Sequence, residues 1–169
     1  QRYEVEKYYG DYRELLRDES IDIVNICTPS GLREEIVIDS ARAGKHIIAE
    51  KPVEVTLERI DRMIAECNKY DVALAGIFNN RYHKNYRLIY DTIQEGRFGR
   101  LILGDVYVKW YRDQEYYTSS NWRGTWKFDG GGALMNQSIH FIDLLQWYMG
   151  PVESVKAYTE RAVHKYIET

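Results

Sequence analysis

Two separate stretches of the chain carry residue types that can act on a hydroxyl. The first is Glu50-Lys51-Pro52, a lysine held between a carboxylate and a proline where a short apolar run ends. An ammonium at the mouth of a strand can hydrogen-bond a hydroxyl and steady the alkoxide that develops as its proton leaves. The second is DGGGALMNQSIHFIDLLQWYMGP, residues 129–151. Read as one helix, it places Asn136, His140 and Asp143 on a single polar face, because residues three and four apart are neighbours there. His140 can take the proton, since a histidine's unperturbed pKa lies near neutrality, and Asn136, one turn earlier, can orient the same hydroxyl. Taken alone, the histidine reads more readily as an ordinary surface or semi-buried helix residue than as a catalytic one. Such a pair also lacks an acceptor for the electrons. The four histidines are dispersed and the cysteines unpaired, so no metal cage is expected, and no G-x-S-x-G nucleophile signature occurs.

The elements that would position these groups follow from periodicity. Residues 21–28 (IDIVNICT) and 46–49 (HIIA) read as buried parallel strands, and residues 31–44 between them as a helix with Leu32, Ile36 and Ala43 at helical spacing. A short helix is expected at 12–17 with Asp11 as its cap. Another follows Thr56, carrying Leu57, Ile60, Ile64 and Cys67, and a third strand spans 72–77. Strand, helix and strand with short joints form right-handed parallel crossovers, and ligands of such sheets sit beyond the carboxyl ends of the strands. Those ends are Thr28-Pro29-Ser30, Glu50-Lys51-Pro52 and Phe78-Asn79-Asn80, three polar clusters brought to one edge. The pattern then changes. A helix at 83–94 precedes a long alternating strand at 100–112, a loop rich in tyrosine and tryptophan, and the helix after the glycines. That helix would pack through Leu134, Ile142, Leu145 and Met149 and end at Gly150-Pro151. Residues 152–163 read as a second long strand. One helix and two strands are too few for an independent sheet, so this part is expected to be truncated or completed by another chain.

Bulk properties narrow the function classes. The 169 residues are 44% hydrophobic with a net charge of −3. Mixed charge argues against a general nucleic-acid binder, and no apolar run approaches the roughly 20 residues of a membrane span. No signal peptide opens the chain, and Cys27 and Cys67 read as reduced core residues, so a cytoplasmic protein is expected. Fifteen tyrosines and four tryptophans are many for this length, and the seven clustered from Tyr107 to Trp126 suit sugar faces, base stacking or a subunit interface equally.

Five segments in order resemble one family: CTPSG (27–31), AGKHIIAEKP (43–52), NNRYHK (79–84), WRGTW (122–126) and GGGALMNQSIHFIDLLQW (130–147). They resemble the glucose-fructose oxidoreductase and inositol dehydrogenase family, Gfo/Idh/MocA. The resemblance implies an α/β chain: the C-terminal part of a Rossmann parallel sheet over residues 1–78, binding NAD or NADP. A truncated α+β domain with a mainly antiparallel sheet would follow over 79–169, for substrate binding and oligomerisation. It supplies the missing hydride acceptor. It also implies that Lys51 and His140 are catalytic with Asn136, and that Thr28, Pro29, Ser30, Glu50, Lys51, Pro52 and Asn79 contact the cofactor. Trp122 and Arg123 match a pair that reaches the cofactor in several members. Arg81, Gln137, Asn136, His140 and Lys51 would meet the substrate, and the Lys51–Pro52 bond is expected to be cis, as is frequent in the family.

Three departures accompany the resemblance. The G-x-G-x-x-G turn is absent from this sequence, so the 169 residues alone are expected to bind NAD weakly or not at all. Arg33 stands where many members have histidine, and Asn136 where inositol-dehydrogenase-like members have aspartate. The Asn-Gln-x-x-His form looks most like branches acting on nucleotide-linked sugars, such as UDP-N-acetyl-hexosaminuronate 3-dehydrogenases. The function implied is hydride transfer between a nicotinamide and a sugar or nucleotide-sugar carbon, in a homodimer or homotetramer built through the C-terminal sheet. A non-catalytic sugar-binding or assembly module and an NAD-using glycosidase of related fold are the alternatives.

Overall fold

The structure, a computed structural model, describes residues 5–169. They divide between a unit ending at Ile77 and a unit Phe78–Thr169.

The first unit is a three-stranded parallel sheet in the order β1 (Ile23–Ile26), β2 (His46–Ala49), β3 (Leu74–Gly76), with Ile26 opposite Ala49 and Ala49 opposite Gly76. The helices are α1 (Tyr12–Leu16), α2 (Arg33–Arg42) and α3 (Leu57–Lys69). Asp11 caps α1 by accepting from Arg13 N at 2.8 Å, and Thr56 caps α3 by accepting from Arg59 N at 3.4 Å. The core is Ile26, Val37, Ala41, Ile47, Met63 and Cys67, with Val24, Ile36, Val53, Val72 and Leu74 packed around it.

Two expectations are corrected here. The stripe of α2 that packs inward is Arg33, Val37, Ser40 and Ala41, whereas Leu32 and Ala43 lie exposed. Spacing alone could not separate these stripes, because a buried arginine breaks the apolar pattern that locates a core face. Cys27 is also exposed, not a core residue: β1 ends one residue before it, and among the described residues β1 pairs with β2 alone. Cys67 is buried, and burial raises its thiol pKa.

The second unit is helical where it is regular. It contains a 3₁₀ turn (Asn79–Tyr82), α4 (Lys84–Gln94), α5 (Gln114–Thr118), α6 (Gly132–Asn136) and α7 (Ile139–Met149). Helix α4 meets α7 through Tyr90 stacked on Trp147 at 4.1 Å and through Tyr148 Oη donating to Tyr86 O at 3.0 Å. Residues 101–113 and 151–161 have no ladder partner among the described residues, so neither expected long strand is present as a strand. A strand exists only through a lateral neighbour, and alternation in the sequence cannot supply one. Two residues of one expected face nevertheless meet α7, although Ile102 and Val106 of that face are exposed. Gly104 lies so close to α7 that a Cβ there would meet Leu145 Cδ1 at 2.7 Å, and Trp110 sits edge-on to Phe141 at 5.5 Å.

The expected central helix is broken into α6 and α7. Gln137 N and Ser138 N both reach Ala133 O, at 3.0 and 2.9 Å, so the second bond spans five residues and widens the turn. The phase slips there. Gly150, with φ of 93°, ends α7 as the Gly-Pro signal predicts.

No described helix is long and apolar enough to cross a membrane.

Candidate functional site

The first unit holds the lysine. Its loop is placed by the sheet: Glu50 N donates to Ile26 O at 3.0 Å, so the segment leaving β2 runs beside the turn that leaves β1. Lys51 is half-buried, Pro52 is buried, and the bond between them is cis. Glu50 accepts from the Lys51 backbone N–H at 3.1 Å, which directs that carboxylate back along its own loop.

Arg33 ties the two loops together. Its guanidinium donates to Thr28 O from Nε at 2.9 Å and from Nη2 at 2.6 Å, while Nη1 donates to both Glu50 O and Pro52 O. The side chain is buried, and that burial, opposed by the charges of Glu50 and Glu54, lowers its pKa. A planar fork with five donors suits this task, since its arms can reach carbonyls on different segments. Glu54, fully buried, closes the arrangement from below. Its carboxylate accepts from Glu34 N at 3.1 Å and Val55 N at 2.7 Å and pairs with Arg59 at 3.3 Å. Arg59 also donates to Gly31 O at 3.2 Å. The starts of α2 and α3 are therefore fastened to the loop that carries Lys51.

Beside that loop, Ser30 is buried, and the Thr28 hydroxyl is buried without a hydrogen-bond partner among the described residues. A buried hydroxyl costs free energy unless something completes it, so this turn fits a polar ligand at the strand ends.

The second unit holds the histidine. His140 lies in the first turn of α7, half-buried. Asn136 is the last residue of α6, so the break separates it from the α7 face that His140 and Asp143, three residues apart, still share. Asn136 Nδ2 donates to Asp129 Oδ1. Asp143 is buried and forms a two-pronged pair with Arg81, Oδ2 from Nε at 2.8 Å and Oδ1 from Nη2 at 2.6 Å. That pairing raises the Arg81 pKa, and the guanidinium also lies over the Trp147 ring at 5.4 Å. Arg81 is thus committed to Asp143 along one edge of its fork.

The remaining residues divide. Gln137 is buried, and its amide donates to Tyr116 Oη at 3.3 Å. Arg123 donates to Tyr116 O at 3.1 Å and Ser119 Oγ at 2.8 Å and stacks over the Tyr116 ring at 4.3 Å. Trp122 is half-buried, and Asn79 is exposed at the head of the 3₁₀ turn. A cavity of about 650 Å³ lined by Trp110, Tyr117, Trp126 and His164 includes Gln137 and no other expected site residue of this unit.

Sequence reasoning missed Asp129, Glu54 and the part played by Arg33. The acid immediately before three glycines was the one visible hint of Asp129. Nothing in the pattern marked Glu54, because a carboxylate in a loop reads as solvated.

Residues 1–78 match an oxidoreductase family with an NAD-binding Rossmann fold, and residues 86–169 match the GFO/IDH/MocA C-terminal domain. The chain is 33% identical over 159 residues to myo-inositol 2-dehydrogenase of Thermotoga maritima, covering 90% of this chain and 44% of that protein. It is 32% identical to levoglucosan dehydrogenase of Pseudarthrobacter phenanthrenivorans, over 92% of this chain and 40% of that one. Among solved structures, the WlbA dehydrogenase of Bordetella pertussis, in complex with NADH and UDP-GlcNAcA, superposes with a TM-score of 0.84 and 39% identity. That likeness covers 95% of this chain and 46% of WlbA. The chain thus spans less than half the length of the relatives it matches.

Proposed function

Because this chain belongs to the GFO/IDH/MocA oxidoreductase family, we propose that the full-length protein is an NAD(P)-dependent dehydrogenase of a sugar or nucleotide sugar. The observation that carries the reading is the pair of strand-end loops joined through Arg33, with Lys51 on one and, on the other, a buried Thr28 hydroxyl that has no hydrogen-bond partner among the described residues. Residues 1–78 serve the cofactor and residues 79–169 the substrate. Thr28, Pro29, Ser30, Glu50, Lys51 and Pro52 would hold the nicotinamide cofactor, with Asn79, Trp122 and Arg123 assigned to its other contacts. When bound, the cofactor accepts the hydride and the two electrons it carries.

The protein's own groups then divide the proton work. His140 takes the hydroxyl proton as the carbon becomes a carbonyl. Lys51 donates a hydrogen bond to the oxygen, whose partial negative charge is greatest as O–H and C–H bonds break together. Asn136 orients the substrate, and Gln137 and Arg81 flank it, Arg81 by the edge not given to Asp143. The likeness to WlbA, crystallised with NADH and UDP-GlcNAcA, favours an anionic nucleotide-linked sugar among the substrates of this class. We place the protein in the cytoplasm as a homodimer or homotetramer assembled through its C-terminal part.

The test is the Lys51→Ala variant of the full-length protein, assayed for NAD+ reduction with UDP-GlcNAcA, myo-inositol and levoglucosan. Turnover should fall at least about 100-fold, the scale of removing one transition-state donor, a change far larger than any in NAD+ affinity. Unchanged turnover refutes the role of Lys51. A wild-type protein that oxidises none of the three substrates counts against the substrate class.

A further inference from the structure

Resting on the reading that Asn136 faces the substrate, we propose that Asp129 is a positioning residue that fixes which end of the Asn136 amide the site receives. Asp129 is only 2% exposed, and both its oxygens are occupied. Oδ2 accepts from Gly124 N at 2.8 Å, and Oδ1 accepts from Asn136 Nδ2. An ionised carboxylate can only accept, whereas the two ends of an amide differ: the nitrogen donates and the oxygen accepts. Turning the Asn136 oxygen toward Asp129 would set two acceptors against each other in a buried place, so the carboxylate selects the nitrogen. The amide oxygen is turned the other way. Asn136 therefore enters the site as a fixed acceptor.

The carboxylate is itself held rigidly. Asp129 N and Gly130 N both donate to Thr125 O, at 3.0 and 3.1 Å. Gly124 adopts φ of 69°, and a Cβ there would meet Ile167 Cγ2 at 2.7 Å, so the residue that donates to Oδ2 has to be a glycine. Through this one side chain, the WRGTW loop, the glycine turn and the end of α6 share a fixed geometry. Asn136 needs such an outside support because its helix stops at its own position, and the wide turn that follows breaks the helical phase beyond it.

The experiment exchanges the two partners in the full-length protein. In Asp129→Asn the new amide keeps its oxygen on Gly124 N and presents its nitrogen to Asn136, which must turn over to offer its own oxygen. The site then receives a donor in place of an acceptor. Turnover of UDP-GlcNAcA with NAD+ should fall about tenfold or more, with the NAD+ KM unchanged and the melting temperature within a few degrees of wild type. The double variant D129N/N136D restores an acceptor. The carboxylate now at position 136 takes the amide nitrogen now at position 129 on one oxygen and offers the other to the site, and most of the turnover should return. A side chain needed for folding alone would lose melting temperature and gain nothing from the exchange. Full activity in D129N, or a double variant no better than D129N, overturns the proposal. Should D129N not fold, N136D replaces it: two facing carboxylates should impair turnover, and adding D129N should restore it; no restoration overturns the proposal.

Side-chain amide exchange in ¹⁵N-asparagine-labelled protein reads the orientation without turnover, so it still decides when the dehydrogenase reading fails. The Asn136 amide protons should exchange slowly in the wild type and at least about tenfold faster in D129N; equal rates overturn the proposal.

Discussion

Replacing Arg33 with methionine, which keeps much of the reach and none of the donors, should loosen the Lys51 loop by a calculable amount. Three carbonyls lose their donors: Thr28 O, which takes two N–H groups, and Glu50 O and Pro52 O, which share Nη1. A hydrogen bond to a charged group contributes about 1.5–3 kcal/mol net, and a buried acceptor left unpaired costs about 1–3 kcal/mol. Water can reach part of this edge, and the variant no longer buries a cation, so a net loss of about 2–4 kcal/mol is expected. Urea unfolding of the full-length variant gives the total. Amide exchange over residues 28–32 and 50–54 locates it, because a local loss of about 2 kcal/mol raises exchange roughly 30-fold. Arg33→Lys should recover less than half, since one ammonium cannot reach across both loops as a fork does. A loss below about 1 kcal/mol with unchanged exchange in both loops would show that Arg33 does not join them.

Two further perturbations follow from named contacts. Asp18 accepts from Ser20 N and Oγ, Tyr9 Oη and Lys7 Nζ, and these bonds hold its carboxyl well below the usual carboxylate range. A depressed native pKa adds stability that is present above the unfolded value near 4 and lost as pH falls through the native one. The gap in urea midpoint between wild type and Asp18→Asn should therefore be full at pH 7 and shrink below about pH 4; a gap constant down to about pH 3 would contradict this. Arg81→Met strands the buried carboxylate of Asp143 and should cost about 1–3 kcal/mol, discounted because the arginine side chain is 39% exposed. Thermal unfolding checks it, and a loss regained by adding Asp143→Asn would confirm that the cost comes from the stranded charge.

What could be read beforehand was local. Short apolar runs and their punctuation located β1 and β2, Thr56 and Asp11 announced helix starts, and Gly150 announced an end, because each signal lies within a few residues of its effect. The ends of parallel strands then placed Glu50 to Pro52 beside Thr28 to Ser30. Partnerships across long sequence separations stayed hidden. Arg33 meets Glu50 and Pro52, and Arg81 meets Asp143, through contacts that leave no period in the sequence. Residues 100–112 alternate as a strand should, yet a strand also needs something beside it. The break before α7 turns on Ser138 N choosing a carbonyl five residues back over one four back, a choice that composition does not record.

The contrast between the two cysteines has a practical use. Cys67 is sealed in the core with its thiol made less acidic, whereas Cys27 opens to solvent one residue ahead of Thr28. Of these two thiols, a thiol-directed dye should therefore react at Cys27 well before Cys67, and would ride on the strand end where a nicotinamide is expected to dock. Cys27 is thus a natural position for a fluorescent reporter of ligand arrival at that strand end.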